Sequence, residues 1–125
     1  MWIEQRGWTA AEGWSVAEKP AGATSLVLYF AAPGVMAPEA LLAELRQRYG
    51  DAAIVGCTTG GEILGAEVLD DSLVTAAIGF DKAKIRVAAR DLSDTSESRR
   101  IGVELAQDLA GDGLRAIFLL SEGHL

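Results

Sequence analysis

With one cysteine and one histidine, the chain has too little material for an intramolecular disulfide or a closed Cys/His zinc site. That scarcity points to a reduced, cytoplasmic setting. Basic charge is also in short supply. Eleven Lys and Arg face eighteen Asp and Glu, for a formal net charge of −7, and no basic cluster exceeds Arg99-Arg100. Such a surface disfavours nucleic acid and anionic membrane as partners. No apolar run approaches the roughly 20 residues that span a bilayer. The start, Met1-Trp2-Ile3-Glu4-Gln5-Arg6, has no basic segment leading into an apolar core, so no targeting signal is visible. Catalytic templates are missing too: there is no Gly-x-Ser-x-Gly elbow, no phosphate loop, and no Gly-x-Gly-x-x-Gly between a strand and a helix.

What is there suits one domain with a single core: 125 residues, half hydrophobic and only 23% charged. Residues 1–23 form a lead segment in which Trp2, Trp8 and Trp14 recur at six-residue intervals. The interval is too short for an independent fold and the copies are too few for a repeat architecture. The tryptophans read as packing groups or as an exposed contact patch. Lys19-Pro20-Ala21-Gly22 then breaks the chain.

Ser25 to Ala31, "SLVLYFA", is apolar at nearly every position, the pattern of a strand covered on both faces. Ala32-Pro33-Gly34 ends it. Pro38 sits where the first turn of a helix tolerates proline, and Leu41, Leu42, Leu45 and Tyr49 follow on one stripe before Gly50. Ala52 to Gly56 is a second apolar strand, which the connecting helix makes parallel to the first. Ser72 to Phe80 and Lys84 to Asp91 flank a short turn, the layout of an antiparallel hairpin. Arg86 and Arg90 alternate with Ile85, Val87 and Ala89, which gives the second strand a wet face at an edge. Ser93, Asp94, Thr95 and Glu97 supply caps and first-turn acids for a helix carrying Ile101, Leu105 and Leu109 along one side. Ala116 to Leu120, "AIFLL", reads as a further buried strand. The predicted fold is α/β: a mixed sheet with central parallel strands, an antiparallel hairpin at one side and two main helices.

Ligands of such sheets gather beyond the carboxyl ends of the parallel strands. Three loops are expected there: Ala32-Pro33-Gly34, Cys57-Thr58-Thr59-Gly60 and Ser121-Glu122-Gly123-His124. Each member also has a plain structural reading. Cys57 has no basic neighbour in sequence to lower its pKa and reads as a small buried side chain. Thr58 and Thr59 satisfy turn backbone, and Gly60 and Gly61 permit positive φ or a close backbone approach. Glu62, followed by Ile63 and Leu64, marks the solvent side of another strand in one reading and pairs with a ligand amine in the other. His124 lies second from the end. Residue chemistry alone leads to a small α/β binding module and no further.

Gly56-Cys57-Thr58-Thr59-Gly60-Gly61-Glu62-Ile63, following "LVLYFAAPG" and a leucine-rich helix, resembles the Gly-Cys-(Ser/Thr)-(Thr/Ser)-(Ala/Gly/Ser)-Gly-Glu-Ile signature of FIST domains. Ser121-Glu122-Gly123 is similar to the Ser-(Asp/Glu)-Gly that follows a later strand in that family. The order of elements matches the amino-terminal part of a FIST domain from Thr24 to Leu125. In the family more chain follows, so the sequence looks like a fragment or a truncated homologue, with the first strand and helix shortened to the tryptophan-bearing segment.

The resemblance implies a bacterial, non-enzymatic sensory module. It would bind a small, amino-acid-like molecule through Gly56, Cys57, Thr58, Thr59, Gly60, Gly61, Glu62 and Ser121. It would signal to a histidine kinase or a cyclic-dinucleotide enzyme. No cofactor is required in that reading. An alternative carried by the same resemblance is a haem-based nitric-oxide sensor with His124 as axial ligand. A thiol enzyme using Cys57 is the third reading, with no orienting third group to support it. The apolar 116–120 segment and the tryptophans also lead to an expected homodimer.

Overall fold

The structure, a computed structural model, describes residues 1–18 and 22–121. Their contacts fall into two units, Met1–Ile85 and Arg86–Leu125.

The first unit is built on a five-stranded sheet. Its strands are β1 (Trp2–Thr9), β2 (Gly13–Trp14), β3 (Leu26–Ala31), β4 (Ala53–Thr58) and β7 (Ser72–Gly79), in the spatial order β2-β1-β7-β3-β4. The strand-helix-strand unit expected from sequence is present: β3 and β4 are parallel, registered from Leu26↔Ala53 to Ala31↔Thr58, with α1 (Pro38–Tyr49) between them. Proline at the first turn of α1 needs no N–H donor there. At its other end Gly50 takes φ +61° and donates its N–H to Arg46 O at 2.9 Å.

Leu41, Leu45 and Tyr49 recur at intervals of four and form the buried stripe of α1, while Leu42 falls outside it and is 45% exposed. The stripe packs on Val27, Ala31, Leu73 and Ala77, which lie on one face of the sheet. Burying a side chain such as Leu45 contributes about 1.5–3 kcal/mol. Trp2, Trp8 and Trp14 pack partly buried against this core, as the packing reading expects.

The lead segment does more than fill space. β1 runs antiparallel along the whole of β7, from Trp2↔Gly79 to Thr9↔Ser72, while β7 is also antiparallel to β3. That arrangement corrects the expected hairpin of residues 72–91. Both edges of β7 are occupied by β1 and β3, so no ladder position remains for Lys84 to Asp91, and that segment carries no strand. The antiparallel hairpins of this unit are β1 with β2, and β5 (Glu62–Leu64) with β6 (Glu67–Leu69). The architecture is α/β with a mixed sheet and two main helices.

The second unit holds a 3-10 turn, Thr95–Glu97, leading into α2 (Ser98–Leu109). Asp94 caps the turn, its carboxylate accepting the Ser96 N–H at 2.8 Å. Ile101 is buried, Leu105 and Leu109 are half-buried and Val103 is exposed, in keeping with the stripe expected from their spacing. Arg100 bridges Glu97 and Glu104 along the helix, and Arg90 pairs with Asp108. Ala116 to Leu120 is not the buried strand expected. A strand needs a hydrogen-bonded neighbour, and this segment enters no ladder; Ile117, Phe118 and Leu119 are more than half exposed. No helix among the described residues is long and apolar enough to cross a membrane.

Candidate functional site

The carboxyl ends of β3 and β4 lie side by side because their register pairs Ala31 with Thr58. One further bond extends the ladder, from the Thr59 N–H to Ala31 O at 2.9 Å. Beyond it the chain makes an exposed turn through Gly60 before entering β5. Beside it, Ala32 starts the loop after β3 and donates its N–H to Ser72 O at 2.9 Å. Two of the three loops expected at one rim are therefore adjacent. Ser121 is exposed and belongs to the second unit, whereas Glu122, Gly123 and His124 lie outside the described residues.

Glu62 holds the turn in place. Its side chain is 1% exposed, and its two oxygens accept hydrogen bonds from different elements: Oε1 from Thr59 Oγ at 2.6 Å and Oε2 from Ser72 Oγ at 2.7 Å. Among the described residues no cation lies within ion-pair distance of it, so these two hydroxyls are the described compensation for a buried carboxylate. This corrects the reading of Glu62 as the solvent side of a strand. Ile63 is the exposed residue of β5, at 63%. Alternation along three residues could not decide which face was wet, because the burial of Glu62 depends on Ser72, ten positions away.

Cys57 and Thr58 are neighbours in β4 and point to opposite faces of the sheet. Thr58 shares the α1 face with its partner Ala31, and Cys57 shares the other face with Phe30. Cys57 is a half-buried free thiol. No group of three His, Cys, Asp or Glu suited to a metal occurs among the described residues.

The glycines of the turn differ from expectation. Neither Gly60 nor Gly61 has positive φ, and a methyl at Gly60 would meet no atom within 4 Å. The constrained glycine is Gly56, where a Cβ would stand 2.2 Å from Tyr29 O and 2.4 Å from the Tyr29 ring. What Gly60 and Gly61 offer instead is unspent backbone: among the described residues, their N–H groups meet no acceptor.

A second polar cluster, which sequence reasoning missed, joins β1 to the end of α1. Glu4 is buried; Arg48 donates to it through Nε at 3.2 Å and Nη2 at 2.6 Å, and the Tyr49 hydroxyl donates at 2.5 Å. Burial pushes the Glu4 carboxyl up, but the hydrogen bonds from Arg48 and Tyr49 outweigh it and hold the group below the usual carboxylate range. Burial, then the Glu4 carboxylate, pushes the Tyr49 hydroxyl up. Nearby, a cavity of 510 Å³ is lined by Arg6, Trp14, Glu44, Leu45, Gln47 and Arg48. Of this set only Trp14 and Leu45 stood out in the sequence, both as packing residues.

Comparison with known proteins adds one finding. A family model described as the FIST N domain matches residues 25–124, most of the chain. No curated protein and no solved structure gave a match.

Proposed function

The chain belongs to the FIST N domain family, whose members are sensory domains of signal transduction, and from that premise we propose that it is a non-enzymatic module holding a small, amino-acid-like molecule at the 56–61 turn. The observation that carries this reading is the pairing of unspent groups with a rigid support. The N–H groups of Gly60 and Gly61 and the hydroxyl of exposed Thr58 sit on a turn that buried Glu62 fastens to Ser72. Backbone N–H groups presented together favour an anionic or carbonyl oxygen. A support ordered before binding lowers the entropic cost of capture. Glu62 acts as the brace rather than as a contact, since both its oxygens are engaged and it is buried. A bacterial signalling protein, such as a histidine kinase or a cyclic-dinucleotide enzyme, is the receiver in this reading.

Titrating the isotopically labelled protein with a panel of L-amino acids and following its amide resonances tests the proposal. Saturable shifts centred on Gly60 and Gly61 are expected, and Glu62→Ala should weaken them by loosening the turn. Shifts centred elsewhere, or none with any member of the panel, would sink it.

A further inference from the structure

The 510 Å³ cavity lies between the β1-β2 ribbon and the second half of α1, apart from the 56–61 turn. Its walls are fixed by bonds among themselves. The Arg6 guanidinium stacks over the Trp14 ring at 4.8 Å, with its Nε donating to Ser15 O at 3.1 Å. The Trp14 indole N–H donates to the Glu44 carboxylate. On the far wall Arg48 is spent: Glu4 takes it in a two-point ion pair, and Ala17 O and Glu18 O accept from the same Nη2.

The charges are therefore unequal in availability. Glu4 neutralises Arg48 and Glu44 is engaged with Trp14, whereas Arg6 has no carboxylate within ion-pair distance among the described residues, in a chain of net charge −7. Both its Nη atoms are without described acceptors. With Nε engaged by Ser15 O, the end-on edge formed by the two Nη groups stays open and matches a carboxylate in a two-point contact. Among the described residues of the lining, Arg6 is the one available cation, which matches one negative charge. A dianion such as phosphate would add a second negative charge beside Glu44, which opposes it. The volume falls within the roughly 300–1,000 Å³ typical of organic-ligand sites, and half-buried Trp14 supplies apolar wall for a hydrocarbon body.

We infer that this cavity is a binding site for a small organic monocarboxylate, held by Arg6 and seated against Trp14. The inference does not depend on the turn site. Benzoate is the probe, with inorganic phosphate and benzylamine as controls, followed by the indole N–H resonance of Trp14 assigned through Trp14→Phe. Benzoate should shift that resonance saturably, and neither control should. Arg6→Gln should weaken benzoate by about ten-fold or more, the scale of one hydrogen bond to a charged group. Arg6→Lys should recover part of the affinity. Glu44→Gln keeps an acceptor for the indole and removes the repulsion, so it should tighten benzoate. Equal benzoate affinity in the wild type and Arg6→Gln, or phosphate binding as tight as benzoate, would overturn the inference. Should Arg6→Gln fail to fold, unchanged or weaker affinity in Glu44→Gln overturns it alone. Benzoate shifts confined to Gly60 and Gly61 would leave the turn reading standing and end this one.

Discussion

Replacing Gly56 with alanine should cost far more than replacing Gly60, although both lie in the same short motif. At Gly56 the new methyl would stand 2.2 Å from Tyr29 O and 2.4 Å from Cγ and Cδ1 of the Tyr29 ring. Ordinary carbon contacts begin near about 3.5 Å, so more than about 1 Å must be recovered. Rotating the tyrosine relieves the ring but leaves the carbonyl, which belongs to the register partner of Gly56. Relief therefore requires β3 and β4 to separate. The bonds Ala53 N–H to Ser25 O at 3.1 Å and Thr59 N–H to Ala31 O at 2.9 Å oppose this at either end of the strand. Overpacking of this kind costs about 1–3 kcal/mol, and backbone involvement places it at the upper end. Against a typical domain stability of about 5–15 kcal/mol that is a large share. At about 4 °C per kcal/mol, it lowers Tm by roughly 10 °C. Gly60→Ala meets no atom within 4 Å and has no positive φ. It should be neutral or stabilise by up to about 1 kcal/mol through the unfolded state. Urea unfolding of the two variants beside the wild type, with m unchanged, provides the measurement. A Gly56→Ala midpoint equal to that of the wild type, or a Gly60→Ala variant less stable than Gly56→Ala, would refute the reasoning.

Removing either hydroxyl that Glu62 accepts, by Thr59→Val or Ser72→Ala, should destabilise by about 1–3 kcal/mol, because a buried carboxylate oxygen loses its donor. A denaturation series checks this, and no change in either variant would show that the brace is dispensable. The Glu4 carboxyl, held low by Arg48 and Tyr49, contributes stability that is fully present above the ordinary carboxyl value of 4.5 and is lost as pH falls through its lower folded value. Acid titration of stability should therefore flatten in Glu4→Gln, measured against wild type below pH 4.5. A Cys57→Ser variant should keep any amino-acid response at the turn, since the thiol and the Thr58 hydroxyl face opposite sides of the sheet; turnover of a substrate abolished by that change would overturn the non-enzymatic reading.

Local chemistry determined much of this protein from sequence alone. Proline at the helix start, apolar residues at intervals of four and Gly50 at the end sufficed for α1, because a helix satisfies its backbone within the segment. The helical crossover made β3 and β4 parallel, and the Gly56 to Ile63 motif led to the family that the comparison shows. Contacts between distant residues were decided only in three dimensions. β1 inserts beside β7 some seventy positions away in sequence, which no local pattern could announce, and this removed the edge that an 84–91 strand would have used. The same holds for the side chains. Glu62 is buried because Thr59 and Ser72 converge on it, and Arg6, Trp14 and Glu44 meet because a strand ribbon lies across a helix. A strand's hydrogen bonds, and a buried carboxylate's, are completed by whichever partners the tertiary fold brings up, so sequence spacing can mark such groups but cannot assign their partners.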